Sequence, residues 1–537
     1  MSRKKWSIFT AIILVLSLVI SACGFGGGTE DASKDTLVLT DKNEPPNLDS
    51  AKSTDQVSFQ ILTNALEGLM RLDKDQKPVP GIAASYELSA DKLTYTFKLR
   101  DAKWSDGKAV TAHDFEYGWK RALDPKTASE YAYILEPVKN AMEYNAGKAK
   151  PEDVGIKALD EKTLQVTLKA PSPYFLQLTA FSTFMPQRKD IVEKFGAKFA
   201  LEAQNMVYNG PFSIDKWEHG VSIHMVKNDN YWDNKNVKLT KAEVKFLKEE
   251  STKVNLYKTN KIDFTEITKD FADAFKSSSE RFVLKESSAW YLEFNQREGI
   301  FKNKKLRQAI ELAIDKKTLT DQVIKTGSVP AGSLVPLDIQ ANTNQKFREV
   351  SKDEVKYDPT QAKKLWLDGL KEEGISPSEK IDLLGDDTTS AKDQMQFIAD
   401  QLHKNLGVQV TVSPVTFKER LQRGKDGNFQ ILFSGWGADY NDAMSHLDIF
   451  TTGQSYNRGK WSNTEYDALI KKSKDNPNFE ERVQDLIKAE KILIDEQGIA
   501  PLYYRTRLSL LKPYVKGAIW NTTWGFWDFK DAYLDGK

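Results

Sequence analysis

Residues 81–119 read GIAASYELSADKLTYTFKLRDAKWSDGKAVTAHDFEYGW, and the first half of this stretch carries a clear strand pattern. Four apolar side chains alternate with threonine and lysine, which is the period of a half-buried β-strand; they are Leu93, Tyr95, Phe97 and Leu99. The same alternation returns at Leu164, Val166 and Leu168. Two such segments predict antiparallel strands in this region.

Further along the chain, helical and strand patterns alternate. One apolar helical face ends at Gly407 and is followed by a strand pattern at 408–412, and another precedes Gly498 and strand-like residues 499–504. The two faces consist of Met395, Ile398, Leu402 and Leu406, and of Val483, Leu486, Ala489 and Leu493. A helix that leads directly into a strand is typical of α/β units, so we predict an α/β fold.

The segment 429–441 is the most site-like loop of the chain. Residues 429–433 alternate as a strand, and we expect this strand to break at Gly435-Trp436-Gly437 and to continue as Ala438-Asp439-Tyr440-Asn441. Ligands of α/β sheets lie beyond the carboxyl ends of strands, where glycines allow a close approach of the backbone. The alternative is a solvated turn in which Asp439 bonds to its own backbone. The pattern alone favours neither interpretation.

Several motifs resemble one family of proteins. Residues 81–119 resemble the signature of the family 5 bacterial extracellular solute-binding proteins, the peptide- and nickel-binding class, above all in AKWSDG at 102–107 and VTAHDF at 110–115. Further matches run to the end of the chain: DPKTA at 124–128, NGPF at 209–212, YWD at 231–233, LRQA at 306–309 and ADYN at 438–441. Within the family, the chain looks most like the oligopeptide-binding lipoproteins of Gram-positive importers.

The resemblance implies a two-lobe α/β fold of the periplasmic-binding-protein type II (Venus-flytrap) class, with an extra subdomain in the first lobe. The first lobe would comprise residues 36–66, 191–290 and 506–537. The extra subdomain, at 67–190, would hold the signature, and the second lobe would span 291–505. A hinge is expected where the chain crosses between the lobes.

The resemblance also implies a function, that of an extracellular receptor that encloses an oligopeptide and delivers it to the permease and ATPase subunits of an ABC importer. In peptide-binding relatives, the aspartate matched by Asp439 takes the α-ammonium of the peptide, while neighbouring backbone pairs with it as an added strand. The tyrosine matched by Tyr131 approaches from the other lobe, and Trp436 would wall a side-chain pocket. The ligand-binding residues expected in this chain are Asp439, Trp436, Gly435, Gly437, Tyr131, Asn441, Tyr291 and Arg505.

The resemblance does not explain how the carboxylate end of the peptide is held. Enteric oligopeptide binders place basic residues or histidine there, whereas the aligned positions hold Ile324, Ala391, Gly424 and Phe433. Three basic residues adjoin these positions, and Arg505 stands where relatives often have tyrosine. Each of the four could substitute, although a solvated surface charge is the commoner role; the three neighbours are Lys325, Lys392 and Arg423.

The N-terminus has the layout of a secretory signal. Basic residues at 3–5 precede an apolar stretch at 8–20 that is too short to span a bilayer comfortably, and ISAC at 20–23 resembles a bacterial lipobox. We predict a signal peptide at 1–22, lipidation of Cys23 and a glycine-rich flexible tether at 23–35. The receptor is then expected to be a monomer held by lipid at the extracellular face of the cell membrane. Cys23 is the only cysteine, which excludes an intramolecular disulfide.

Composition and motifs argue against several other classes. The 77 basic residues are balanced by 76 acidic ones, which leaves no basic surplus for nucleic acid. The sequence contains no GxSxG, P-loop or HExxH motif, so we predict neither an enzyme nor a metal or cofactor. Four alternatives remain: a murein-tripeptide receptor, a signalling-peptide receptor, a nickel or haem binder using His446, and a lipoprotein that acts as a sensor or chaperone.

Overall fold

This computed structural model describes residues 35–297, 299–341, 345–376, 380–524 and 526–537. The predicted signal peptide, Cys23 and the tether up to residue 34 lie outside the described residues. Within the described ranges, no helix has both the length and the apolar character that a membrane span requires.

One large mixed sheet runs through the described chain and contains eleven strands. From one edge to the other, its strands are Gln409–Val415, Lys380–Asp386, Ile431–Gly437, Arg281–Phe294, Ile499–Leu511, Phe264–Ile267, Thr36–Asp41, Lys241–Phe246, Ser222–Lys227 and Phe212–Glu218, and Val329–Pro330 pairs with Ile499–Leu511 off this path. The sheet combines parallel and antiparallel pairs, and together with the helices it gives the α/β fold that the residue patterns predict and the two lobes that the resemblance implies.

Two long neighbouring strands, Arg281–Phe294 and Ile499–Leu511, connect the two halves of this sheet. At one end Ile499–Leu511 pairs with Phe264–Ile267, and at the other end Arg281–Phe294 pairs with Ile431–Gly437. The register between the two long strands shifts between Lys285 and Ala289. The predicted crossing points of the chain, at 290/291 and 505/506, both fall within these two strands.

Helices cover both halves of the sheet, and the two that were predicted from apolar faces are present. The first ends at Gly407, whose φ of +80° is the left-handed conformation that glycine adopts readily at a helix end. The described α-helices are Gln56–Ala65, Ala112–Leu123, Ala141–Asn145, Phe175–Leu178, Lys189–Phe195, Glu250–Lys258, Lys269–Ala272, Lys304–Leu312, Lys316–Thr318, Phe347–Val350, Pro359–Glu373, Thr389–Leu406, Phe417–Asp426, Met444–Leu447, Thr464–Asp475 and Phe479–Asp495.

A separate four-stranded antiparallel sheet holds the signature region. Its strands, in order across the sheet, are Ala83–Leu88, Thr94–Leu99, Thr163–Thr167 and Ile156–Asp160. Tyr95 lies opposite Val166 and Phe97 opposite Leu164, so the two alternating segments form antiparallel strands, as predicted, and these strands pair with each other. Three two-stranded sheets complete the described strands: Met70–Leu72 with Pro78–Pro80, Val515–Lys516 with Tyr533–Leu534, and Ile519–Trp520 with Trp527–Asp528.

The described residues bury two large hydrophobic cores. One contains Leu306, Trp366 and Met395, all within the predicted second lobe. The other contains the signature region but also Leu447 and Leu486, which the resemblance places in the second lobe. The division between the cores therefore differs from the predicted lobe boundaries, which remain a prediction.

The prediction that the strand breaks at Gly435 is wrong. The strand Ile431–Gly437 continues through both glycines, with Gly435 opposite Trp290. A Cβ atom on Gly435 would lie 2.7 Å from the Trp290 indole, and one on Gly437 would lie 2.0 Å from Nε2 of Gln56. These glycines allow two large side chains to pack against the strand, which is a second common use of glycine within a sheet.

Candidate functional site

A cavity of about 160 Å³ adjoins the carboxyl end of the strand Ile431–Gly437. Seven of the eight predicted ligand-binding residues line it: Asp439, Trp436, Gly435, Gly437, Tyr131, Tyr291 and Arg505. A second cavity of about 90 Å³ shares part of this wall, including Lys42, Trp290 and Arg505, so the two cavities adjoin.

Asp439 contributes a buried carboxylate to the wall of the first cavity. It is 2% exposed, and its carboxylate accepts hydrogen bonds from the hydroxyl groups of Tyr131, at 3.1 Å, and Tyr133, at 3.2 Å. Burial raises the pKa of Asp439 to about 8, and these two hydrogen bonds oppose the shift only in part. No cation of the described chain lies within ion-pair distance of this carboxylate. Its partners are the two tyrosines, whereas the solvated-turn interpretation required a bond to its own backbone.

Aromatic rings surround this carboxylate. The ring of Tyr131 stacks on Trp436 with centroids 6.2 Å apart, and Tyr456 packs edge-on against both. The Trp436 indole N–H donates to the carbonyl of Ser445 at 2.8 Å, which fixes the orientation of the indole ring. Burial and the nearby Asp439 carboxylate hold the pKa of the Tyr131 hydroxyl well above its usual value, so this group remains a donor. The rings exclude water and strengthen electrostatic attraction at Asp439.

Three buried donors in the wall of the first cavity lack acceptors among the described residues. They are Nε2 of Gln56, the hydroxyl of Tyr456 and Nε1 of Trp524. A buried donor without an acceptor costs about 1–3 kcal/mol, so such groups call for an explanation. Their presence beside Asp439 indicates a ligand that carries one positive group and several acceptor oxygens.

Ion pairs hold the two sides of the cavity together. Glu130 pairs with Arg458 at 2.6 Å and with Lys425 at 3.1 Å, while Lys248 pairs with Asp387 at 2.7 Å. Each pair joins a predicted first-lobe residue to a predicted second-lobe residue. In this structure, therefore, the two predicted lobes contact each other around the cavity.

Two predicted site residues have surroundings that the sequence did not anticipate. Asn441 does not line the cavity; its side-chain oxygen accepts the N–H of Gln340 at 3.0 Å and its own N–H donates to Gln177 at 3.0 Å. Arg505 is no solvated surface charge, because its side chain is 16% exposed and forms an ion pair with Glu286. The sequence could not reveal this pair, because 219 positions separate the two residues.

The positions aligned with the missing carboxylate anchors do reach the cavities. Ile324, Ala391 and Phe433 line the second cavity, and Gly424 lines the first. Their side chains carry no charge, so they bring no cation to the ligand. The basic neighbours Lys325, Lys392 and Arg423 line neither cavity.

Three residues of the site were not predicted from the sequence. Tyr133 donates a hydrogen bond to Asp439, Gln56 lines the first cavity, and Lys42 lines both cavities. Nothing in their local pattern distinguishes them from surface or core residues. Among the described residues, no group of three or more histidine, cysteine, aspartate or glutamate side chains is arranged to hold a metal. His446 is fully buried and lies outside the walls of both cavities.

Comparisons with known proteins agree with the geometry. The family model described as bacterial extracellular solute-binding proteins, family 5 (middle region), matches residues 77–458. The dipeptide-binding protein DppE and the oligopeptide-binding protein OppA of Bacillus subtilis (strain 168) are 33% and 34% identical to this chain; each match covers 99% of this chain and 99% or 100% of the relative. The solved structure of Listeria monocytogenes OppA bound to peptide is 40% identical, has a TM-score of 0.90, and aligns with 94% of this chain and 99% of its own.

Proposed function

We propose, from the premise that this chain belongs to the family 5 bacterial extracellular solute-binding proteins, that it is an extracellular receptor that delivers oligopeptides to an ABC importer. The observation that carries the proposal is the buried carboxylate of Asp439, which has tyrosine donors around it and, among the described residues, no cation within ion-pair distance and unpaired donors in the same cavity wall. A peptide of any sequence supplies what this site lacks, because it has one ammonium group and a row of carbonyl oxygens.

The backbone beside Asp439 is suited to pair with an extended peptide. On one side, the strand Ile431–Gly437 pairs along its whole length with Arg281–Phe294. On the other side, Lys380–Asp386 pairs only with Ile431 and Leu432, so in the described chain the segment 433–437 has no strand neighbour there. A peptide added at this edge would gain main-chain hydrogen bonds whatever its side chains are. The ammonium on Asp439 would then fix its register.

Ligand binding would favour the closed arrangement of the lobes. Tyr131 and Tyr133 reach Asp439 from the predicted first lobe, while Asp439 and Trp436 belong to the predicted second lobe. A ligand can contact Asp439 and Tyr131 at the same time only when the lobes meet. Binding of such a ligand therefore shifts the population toward the closed form. The permease subunits would then recognise the closed receptor.

We expect protein purified from cells under native conditions to carry peptides. Native mass spectrometry would show added masses that disappear on denaturation, and fragmentation of the released material would give peptide length and composition. A protein with Asp439→Asn, purified in parallel, should carry much less. Murein tripeptides or one defined signalling peptide would identify a specialised receptor, whereas a haem, metal or sugar adduct would contradict the proposal.

A lipid on Cys23 would keep this receptor near its importer. The tether at 23–35 would let it move over the permease at high effective concentration. We expect Cys23→Ser to incorporate no labelled palmitate, because the thiol that would be acylated is lost. Labelling of growing cells with palmitate, followed by immunoprecipitation of the receptor, would measure this, with Ser33→Ala as the control that is labelled like the wild-type protein. Undiminished labelling of Cys23→Ser would contradict the lipid anchor.

A further inference from the structure

A group of basic side chains lies where the two cavities adjoin. Lys42, Arg505 and Arg507 line both cavities, and Lys253 lines the second. All four cations face Glu266, a carboxylate that also lines both cavities, and together they hold its pKa well below its usual value. Four basic side chains therefore act on one shared carboxylate in this part of the wall.

The two arginines are already paired. Arg507 forms ion pairs with Glu266 and with Glu286, the latter at 2.9 Å, and Arg505 also pairs with Glu286. Buried guanidinium groups in such pairs are stably charged and fixed in position. They contribute positive potential to the cavity wall while remaining bound to the protein.

Lys42 has no such partner. In the described chain, its ammonium makes no hydrogen bond and lies beyond ion-pair distance of every carboxylate. The other cations that line the first cavity are each paired: Arg420 with Asp386, Arg458 with Glu130, and the two arginines as above. Burial lowers the pKa of Lys42, and repulsion by Arg505 and Arg507 adds to this effect against the attraction of Glu266.

The carboxylate next to Lys42 along the chain does not supply the missing partner. The two oxygens of Asp41 accept hydrogen bonds from Nε2 of Gln60 and from the N–H of Asn43. The attraction of Asp41 for Lys42 is weaker than that of Glu266. An anion that entered the cavity would therefore find Lys42 unpaired.

Gln56 adds a second donor to the same wall. Its side-chain oxygen accepts from Arg505 at 3.2 Å and from Arg507 at 3.3 Å. These bonds determine which end of the amide is the donor, and that donor, Nε2, is buried without an acceptor. The arginines thus orient an unpaired N–H in the wall that also holds the unpaired ammonium.

We propose that Lys42 and Nε2 of Gln56, backed by Arg505 and Arg507, form a subsite for a carboxylate of the bound peptide. The subsite rests on the proposed peptide-binding function and adds to it the missing partner for the negative end of the ligand. Lys42, Arg505 and Arg507 line both cavities and Gln56 lines the first, whereas Asp439 does not line the second cavity. The carboxylate is the C-terminus of a short peptide or an acidic side chain of a longer one.

The subsite would compensate two unfavourable charges in one binding event. The Asp439 carboxylate is buried and the Lys42 side chain is half-buried, and a charge-assisted hydrogen bond is about twice as strong as a neutral one. A zwitterionic peptide would pair its ammonium with Asp439 and its carboxylate with Lys42. In the enteric oligopeptide binders, the carboxylate anchors stand at the positions aligned with Ile324, Ala391, Gly424 and Phe433. These four residues carry no charge in this chain, so the proposed subsite uses other positions.

The test uses alanine peptides of two to five residues, each as the free acid and as the C-terminal amide, titrated by calorimetry into the wild-type protein. We expect the best-binding free acid to bind about tenfold or more tightly than its amide. In Lys42→Met, the free acid should lose about tenfold in affinity while the amide stays within about twofold. Lys52→Met is the matched control, because Lys52 is exposed and lines neither cavity.

A second pair of probes distinguishes the two sources of the carboxylate. Ala-Glu-Ala amide is compared with Ala-Gln-Ala amide in the same proteins. A Lys42-dependent preference for the free acid assigns the subsite to the C-terminus, and one for glutamate assigns it to a side chain. Equal wild-type affinities within both pairs would overturn the subsite, and this comparison needs no variant that must fold.

The same titrations separate this inference from the proposed function. An N-acetylated alanine peptide reports on Asp439 alone. If acetylation abolishes binding while acid and amide bind equally, the receptor function stands and the carboxylate subsite fails. If no peptide of the panel binds and protein purified from cells carries no peptide, the peptide-receptor proposal fails, and the subsite fails with it.

Discussion

Asp439→Asn should lower the affinity for a peptide with a free N-terminus by about 100-fold or more. Removing one partner of a buried, hydrogen-bonded charge pair costs about 2–5 kcal/mol, and each 1.4 kcal/mol is a factor of ten in affinity. The asparagine keeps the size of the side chain and can still accept from Tyr131, so the lost charge accounts for most of the effect. Titration calorimetry with an unmodified alanine peptide would measure it.

N-acetylation of the peptide provides the matched comparison. Acetylation removes the ammonium from the ligand as the substitution removes the carboxylate from the receptor, so the two losses should not add. The acetylated peptide should bind the wild-type protein and Asp439→Asn with similar, weak affinity. Asp229→Asn, at an exposed position that lines neither cavity, should bind like the wild-type protein. Undiminished binding of free peptide by Asp439→Asn would reject the anchor.

The raised pKa of Asp439 also gives this prediction a pH dependence. With a pKa of about 8 in the unliganded receptor, the carboxyl group is mostly protonated at pH 6, whereas the ammonium of the peptide binds the ionised form. Binding must then release a proton, and affinity should rise as pH increases from 6 to 8, by up to about tenfold per unit. Above pH 8 the free peptide loses its own proton, since an α-amino group has a pKa of about 7.7–8.0, so affinity falls again. Asp439→Asn should lack the rising limb.

The raised pKa of Asp439 also predicts that Asp439→Asn remains folded although it loses affinity for peptide. The folded protein holds the Asp439 proton more tightly than the unfolded chain, whose carboxyl group titrates near its ordinary value. The free energy of unfolding therefore falls as pH rises from about 4 to 8, and the Asp439 carboxylate costs stability above that range. Asp439→Asn removes this cost, so at pH 8 it should unfold at the same temperature as the wild-type protein or a higher one.

The local residue pattern was sufficient to predict those helices and strands that have one face against a hydrophobic core and the other face toward solvent. The alternation at 93–99 and at 164–168 gave two strands that do pair, and the helix that ends at Gly407 lies where its apolar face and terminal glycine indicate. The crossing strand Arg281–Phe294 was not predicted, because its residues from 286 to 294 are buried on both faces with one exception and show no alternation. Gly435 was misassigned for a related reason, since the indole that it accommodates comes from a distant strand.

The residues of the candidate site also fall into two groups, those that the sequence could predict and those that it could not. The motif around Asp439 could be recognised because its residues are contiguous, and the resemblance supplied Tyr131 from the other lobe. Lys42 could not be recognised, because an unpaired lysine and a solvated one look alike until the positions of Glu266 and Arg505 are known. The ion pair of Arg505 could not be predicted, because its partner, Glu286, lies on the neighbouring long strand. Charge pairing across a sheet depends on register, which the sequence does not display.

Glu286→Gln should destabilise the protein by about 3–5 kcal/mol, because it leaves Arg505 without its counter-charge and Arg507 with Glu266 alone. The Glu286 side chain is 1% exposed and accepts from Arg505, from Arg507 and from the hydroxyl of Ser288. It lies within the register shift of the two long strands, where the regular ladder of partners is interrupted. The ion pairs of Glu286 therefore join these strands at the point where their backbone pairing is weakest, between the two halves of the sheet.

Urea denaturation followed by tryptophan fluorescence would measure this effect, with Glu87→Gln as the control on an exposed strand position, where a change within about 0.5 kcal/mol is expected. The two arginines lower the pKa of Glu286 to about 2, against an ordinary 4.5, despite the opposing effect of burial. A carboxyl group whose pKa is lowered by folding stabilises the protein at pH values above its ordinary pKa. This stabilisation is lost as the pH falls toward the pKa of the folded state. The difference between wild type and Glu286→Gln should thus be full at pH 7 and shrink between pH 5 and pH 2. An unchanged urea midpoint at pH 7 would mean that the ion pairs contribute no net stability, and that the junction of the long strands depends on packing alone.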